Sequence, residues 1–107
     1  MIDVSRFDVC LVNLDPTIGR EIKKTRPCVV VSPDEIRWLK TVIIAPLTSN
    51  GFAAPTRIKL IFKKKEGFIL LDQIRIIDKK RIIKKLGVIN RATQIKVSKV
   101  LVEMFQY

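Results

Sequence analysis

Apolar residues along this chain come in short runs broken by turn residues. Residues 7–14 alternate in part between apolar and polar and stop at Asp15-Pro16. Residues 27–32 are a β-branched run ending at Ser32-Pro33-Asp34, and residues 41–47 are another, closed by Thr48-Ser49-Asn50-Gly51. Residues 57–62 alternate Arg57 and Lys59 with Ile58 and Leu60, after which a Lys-rich turn runs to Gly67. Residues 68–71 and 73–77 are further strand pieces. Runs of this length and composition, bounded by Gly, Pro, Asn and Asp, predict strands. Five or six of them make a small, mainly β barrel or sandwich.

The period changes at the end of the chain. Val97, Val100, Leu101, Met104 and Phe105 fall at i, i+3, i+4, i+7 and i+8, one face of an amphipathic helix. Gly87 supplies a break and Asn90 a cap ahead of it, and the stripe is expected to pack on the barrel. Residues 33–40 leave room for one helical turn, with Trp38 as its largest apolar side chain. No internal repeat or low-complexity segment interrupts the pattern.

The chain has 107 residues, enough for one domain over residues 1–107 and one core, and 48% of them are apolar. Its longest apolar stretches fall far short of the roughly 20 residues a membrane-spanning helix needs. The opening MIDVSRFD is acidic early and lacks a basic start followed by an apolar run, so a cytoplasmic protein without a secretory leader is expected. Cys10 and Cys28 each lie inside an apolar run, where a free cysteine acts as a small buried hydrophobe. With no histidine and only two cysteines, one chain cannot assemble a closed zinc site. No metal and no cofactor are expected.

Charge narrows the choice of partner. The net charge is +11, and between Arg57 and Lys85 eleven Lys and Arg face only Glu66, Asp72 and Asp78. Such a block is either a solvated face or a polyanion-binding surface. The expected partner is nucleic acid, or an acidic protein covering the same surface.

Three segments carry polar residues at predicted strand edges. The first, Asp15-Pro16-Thr17-Ile18-Gly19-Arg20-Glu21, leads into Thr25-Arg26-Pro27, where the proline disfavours helix at Arg26 and holds it extended at a strand entrance. A guanidinium fixed there is a planar, two-pronged phosphate ligand. The second, Pro46-Leu47-Thr48-Ser49-Asn50-Gly51, sets two hydroxyls after an apolar strand, where hydroxyls and backbone N–H groups can bind a phosphate oxygen. The third, residues 71–78, puts Asp72 and Gln73 inside an apolar run, with Arg75 as the nearest candidate ion-pair partner of Asp72.

Taken together, the strings VNLDPTIGRE, TRPCVVVS, VIIAPLTSN and LLDQIRIIDKKRI resemble the MazF/PemK family of toxin endoribonucleases, in the family's order and with roughly its spacing. The resemblance spans most of the chain. It implies an SH3-like barrel of the MazF/PemK/CcdB kind with a C-terminal helix, a homodimer, and metal-free cleavage of single-stranded RNA that stops translation and growth. It also implies inhibition by a cognate antitoxin whose acidic, flexible tail covers the active groove, and DNA binding in complex with that antitoxin. By position, Arg26 and Thr48 match the residues at the scissile phosphate, Glu21 and Asp72 the acidic positions beside it, and Ser49 and Gln73 their neighbours. Two positions depart from the pattern. Arg20 stands where many members have histidine or serine, and Leu70 where some have arginine.

These residues restrict the proton chemistry. Attack by a 2′-hydroxyl needs a base, charge stabilisation at the phosphorane and an acid for the 5′-oxygen. Arginine stays protonated, so Arg26 and Arg20 are assigned to charge stabilisation. The base is then Glu21, Asp72 or water, and an upward pKa shift through burial would help either carboxylate. The acid is water or Thr48. Arg20, Ser49, Asn50, Gln73, Lys63, Lys64 and Lys65 are expected to contact RNA, with Lys79, Lys80, Lys84 and Lys85 tracking the backbone. Two other readings are a non-catalytic basic RNA-binding barrel and a gyrase-poisoning toxin of the same fold. Residues 103–107 do not match the ending that gyrase poisons share.

Overall fold

The computed structural model describes residues 2–21 and 24–107. Seven strands form one curled antiparallel sheet: β1 (Asp8–Asn13), β2 (Thr25–Val30), β3 (Thr41–Thr48), β4 (Arg57–Phe62), β5 (Lys65–Leu70), β6 (Arg75–Asp78) and β7 (Ile82–Val88). The spatial order is β4-β5-β3-β2-β1-β7, with β6 also paired to β3. One helix, α1 (Arg91–Phe105), closes the chain. The fold is therefore mainly β with a C-terminal helix and a sheet rolled into a half-barrel.

The central strands read as continuous apolar runs because both of their faces are covered. Val9, Val29, Ala45 and Leu47 enter one core with Ile58, Leu60, Ile69 and the helix residue Val97. Cys10, Cys28, Val30 and Ile44 enter a second core with Val4, Leu14, Ile77 and Ile82. Successive residues of a strand point to opposite faces, so adjacent apolar residues feed different cores. Cys10 stands directly opposite Cys28 in the β1–β2 register, and both thiols are free and buried. Burial pushes their pKa values up, to about 11 for Cys10 and about 12 for Cys28.

The helix begins where its cap was expected. The Asn90 side chain accepts from the backbone N–H of Thr93 at 2.9 Å, and Val100, Leu101 and Met104 pack on the first core. Phe105 departs from the predicted stripe and is 69% exposed. Eight residues at 3.6 per turn rotate it about 80° away from Val97, at the last position of the helix. Trp38 is likewise out in solvent, after a 3₁₀ turn at Asp34–Ile36.

Several features of the sheet differ from the sequence reading. Strand β5 begins at Lys65, inside the stretch read as a turn to Gly67, and β2 spans Thr25–Val30 instead of residues 27–32, because pairing with the neighbouring strands sets their ends. The strand expected at residues 73–77 begins only at Arg75, because Leu71–Gln73 forms a 3₁₀ turn. Strand β7 has no counterpart in the hydrophobic pattern: it pairs only with β1, through two register shifts, and exposes Ile83, Lys84 and Lys85 in succession.

The interruption between β5 and β6 builds the site. Both pair antiparallel with β3, β5 at Leu47 and Thr48 and β6 from Thr41 to Ile44. Between these two ladders stands Pro46, which has no N–H to donate to a neighbouring strand. Beside it the segment between β5 and β6 turns out of the sheet and carries Asp72 and Gln73 with it.

Candidate active site

Two clefts lie at this end of the sheet. The larger, about 610 Å³, is lined by Leu14, Ile18, Arg20, Glu21, Pro46, Asp72, Gln73, Ile74 and Arg75. The smaller, about 210 Å³, holds Arg26, Thr48 and Ser49 together with Leu60, Phe62, Lys65, Glu66 and Gly67. The β2–β3 ladder runs from Val30–Ile44 to Cys28–Pro46, and two residues beyond its end on each strand stand Arg26 and Thr48, which line the same cleft. The proposed phosphate arginine and its hydroxyl partner, 22 positions apart in the chain, thus share one cleft.

Thr48 is buried, and its Oγ1 accepts from the backbone N–H of Asn50 at 3.2 Å, which leaves its O–H proton to donate. The close approach of β5 holds it from behind. A Cβ on Gly67 would come within 2.9 Å of the Thr48 carbonyl oxygen, so only glycine lets the two strands meet there. Asn50 serves through its backbone and lines neither cleft.

The loop between β1 and β2 brings Arg20 and Glu21 to the larger cleft. The Asp15 carboxylate accepts from the Lys24 N–H at 2.8 Å, the Asn13 side chain accepts from the Asp15 N–H at 3.1 Å, and Gly19 takes a left-handed φ of 59°. Two arginines tie the loop base to the strands below it. Arg75 donates to the Leu14 carbonyl at 3.2 Å, and Arg81 donates to the carbonyls of Asn13 and Asp15. The Glu21 carboxylate accepts from the Ile18 N–H at 3.3 Å and is exposed to solvent.

Asp72 is held differently from the sequence expectation. Its partner is Arg57 and not Arg75: Nε meets Oδ1 and Nη2 meets Oδ2, each at 3.2 Å, and the Thr56 hydroxyl adds a third contact at 3.2 Å. Partial burial pushes the carboxyl pKa up, but the hydrogen bond from Arg57, a backbone N–H, the Arg57 charge and the Thr56 hydroxyl together outweigh it and the net shift is downward. Upward tuning of this carboxylate, which would have suited a general base, does not occur. Arg57 stands opposite Leu70 in the β4–β5 register.

The lysines do not form one surface. Lys65 lines the smaller cleft, while Lys63 and Lys64 make the tip of the β4–β5 hairpin and line neither cleft. Lys63 lies 5.9 Å from the centroid of the Phe62 ring. Lys79 is buried and donates to the Arg37 carbonyl, and Lys85 pairs with Asp8 at 3.0 Å. Neither lines a cleft with the site residues. Sequence reasoning missed Arg57, Phe62 and Glu66 as cleft or supporting residues, and gave Arg75 a different role, as the partner of Asp72. Of the three missed, Arg57 had left a signal, as a charge at the mouth of an alternating strand.

A family model described as PemK-like, MazF-like toxin of type II toxin-antitoxin system matches residues 5–105. The chain belongs to this family. It is 36% identical over 105 residues to Endoribonuclease MazF of Staphylococcus epidermidis, covering 92% of this chain and 88% of that protein. Two solved structures share the MazF fold with it. A MazF from Deinococcus radiodurans superposes with a TM-score of 0.86 at 21% identity, covering 100% of both chains. An endoribonuclease in complex with its cognate antitoxin, from Mycobacterial species, gives a TM-score of 0.78 at 22% identity and covers 94% of this chain and 92% of that one. The MazF-like sequence strings thus map onto a MazF-like fold, and the family positions Arg26 and Thr48 fall in one cleft. No helix among the described residues is long and apolar enough to cross a membrane.

Proposed function

We propose that this MazF-family endoribonuclease toxin cleaves single-stranded RNA at specific sequences, without a metal ion, and so arrests translation and growth in the cytoplasm. The observation that carries the reading is the shared cleft of Arg26 and Thr48, with the Ser49 hydroxyl beside them. In this reading the RNA 2′-oxygen attacks the adjacent phosphorus, Glu21 takes the 2′ proton, and Arg26 with Thr48 holds the phosphorane oxygens. The phosphorus–5′-oxygen bond breaks, leaving a 2′,3′-cyclic phosphate, and the departing 5′-oxygen takes a proton from solvent. Only RNA offers that nucleophile. Glu21 is preferred to Asp72 because Asp72 is already engaged by Arg57 and Thr56.

Arg20, Gln73 and Lys65 line the clefts and are assigned to RNA contact, with Lys63 and Lys64 reaching the backbone from the hairpin tip. A homodimer and a cognate antitoxin with an acidic, flexible tail complete the reading, the tail competing with RNA for the same basic clefts and the toxin–antitoxin complex binding DNA. The test is incubation of the purified protein with a long single-stranded RNA in EDTA, with the ends mapped for wild type and Arg26→Ala. Recurrent sites ending in 2′,3′-cyclic phosphate are expected from wild type. Intact RNA at high protein concentration would replace this reading with a non-catalytic RNA-binding barrel.

A further inference from the structure

We propose that Phe52 is a stacking platform for one base of the RNA, and that Arg57 and Asp72 are the strut that holds it at the edge of the substrate cleft. The proposal rests on the ribonuclease reading above and adds to it a residue that reads or grips a base.

The argument begins with the support beneath the ring. Single exposed apolar side chains are ordinary, so the 68% exposure of Phe52 is not in itself informative. What distinguishes it is the guanidinium of Arg57, whose carbon lies 4.2 Å from the ring centroid. That guanidinium is only 14% exposed and is fixed by two contacts to the Asp72 carboxylate. Phe52, Arg57 and Asp72 thus form a stack running from solvent to the wall of the larger cleft, which Asp72 lines. One face of the ring is covered by arginine, so its exposure belongs to the other face and the edge.

The loop that carries Phe52 is also tied to the reacting end of the site. Gly51 sits so close that a Cβ there would meet the Phe68 ring at 2.7 Å and the Thr48 methyl at 3.3 Å. The Thr56 hydroxyl, at the far end of the same loop, donates to Asp72. The loop is therefore pinned at both ends, and its aromatic side chain leaves the protein four residues after Thr48. A flat aromatic face beside a cleft whose wall carries Arg20 and Arg75 along with Glu21 and Asp72 suits an unstacked base, because every base has a π-face and single-stranded binders combine such platforms with cationic side chains. An acidic protein segment would use the cations and gain little from a presented ring face.

The test uses an RNA carrying the mapped cleavage site, blocked by a 2′-deoxy sugar at the scissile nucleotide, and a set of the same oligonucleotide with one abasic position at a time. Affinity is read by fluorescence anisotropy for wild type, Phe52→Leu and Phe52→Tyr. Phe52→Leu is expected to weaken binding by about five- to a hundredfold, the span of one base–aromatic stack. Phe52→Tyr is expected to keep most of it. At one abasic position the difference between wild type and Phe52→Leu should vanish, because the ring and the base then have nothing to share. The salt dependence should be the same for both proteins, since stacking releases no counterions. Equal affinity for wild type and Phe52→Leu, a loss identical at every abasic position, or an equal loss in Phe52→Tyr would each overturn the proposal. Failure of the wild-type protein to bind or cut any RNA is seen before a substitution is made, and would instead strike at the ribonuclease reading.

Discussion

Arg57 meets Asp72 fork to fork, Nε on Oδ1 and Nη2 on Oδ2, across the gap between β4 and the turn after β5. A carboxylate held this way is a poor proton acceptor, because taking a proton would break the contacts that keep it charged. The arrangement favours Glu21 over Asp72 as the proposed base and gives Asp72 a supporting role in the proposed site.

One consequence is visible in pH dependence. The folded-state pKa of Asp72 is depressed, so its contribution to stability is present above the unfolded value, near 4, and is lost as pH falls through the folded value. Asp72 therefore stays ionised to lower pH than an ordinary aspartate. Asp72→Asn should lower the rate without moving the acid limb of the pH–rate profile, whereas Glu21→Gln should remove most of the activity. A shifted limb in Asp72→Asn would return Asp72 to the role of base.

Arg26→Ala removes the charge proposed to hold the phosphorane oxygens. The expected loss in single-turnover rate is on the order of a hundred- to a thousandfold, with circular dichroism unchanged. Near-full activity in that variant would remove Arg26 from the mechanism.

Gly67 has no room for a side chain, with the Thr48 carbonyl oxygen 2.9 Å from the position of its missing Cβ. Because backbone and not a flexible side chain stands there, Gly67→Ala must push β3 and β5 apart. We expect a loss of about 1 to 3 kcal/mol in urea unfolding and slower cleavage through displacement of Thr48. Wild-type stability and rate together would show that the strands separate at no cost.

The β4–β5 hairpin turns on Lys63 and Lys64, with φ of 49° and 67°. A two-residue turn with both φ values positive favours Asn-Gly, and the left-handed conformation costs an ordinary L-residue about 1 to 2 kcal/mol. Lys63→Asn with Lys64→Gly should therefore raise the unfolding free energy by about 1 to 2 kcal/mol. The same pair of substitutions should make the log–log salt slope of RNA binding shallower by about 1 to 2 if both lysines meet phosphates. Retention of lysines at a turn that disfavours them would then be explained by RNA binding.

Cys10 and Cys28 offer a check on the packing of the second core. With pKa values raised to about 11 and about 12 by burial, neither supplies thiolate at pH 8, and neither is open to reagent. Thiol titration should find no reactive group in the native protein and two after denaturation. Fast labelling of the native state would mean that the β1–β2 pairing opens readily.

Much of this protein was legible in its amino-acid order. Turn residues bounding β-branched runs located β1 to β5, with the ends of β2 and β5 displaced by two or three residues, and the 3.6-residue period with Asn90 at its head located α1, because these signals are local and act through neighbouring residues. Family-like strings picked out Arg26, Thr48, Glu21 and Asp72. What the order of residues left open were relations between strands. Strand β7 escaped notice because an edge strand with two register shifts has no alternating pattern to show. The partner of Asp72 could not be read because Arg57 reaches it across the sheet from 15 positions away, while Arg75, three positions along the chain, turns to Leu14 instead. The cleft itself exists because the ladder opens beside Pro46 and lets two strands diverge. Side-chain type and spacing set which residues could do the chemistry; the pairing of distant strands decided which charges meet, and so that Asp72 is held by Arg57 while Glu21 stays exposed.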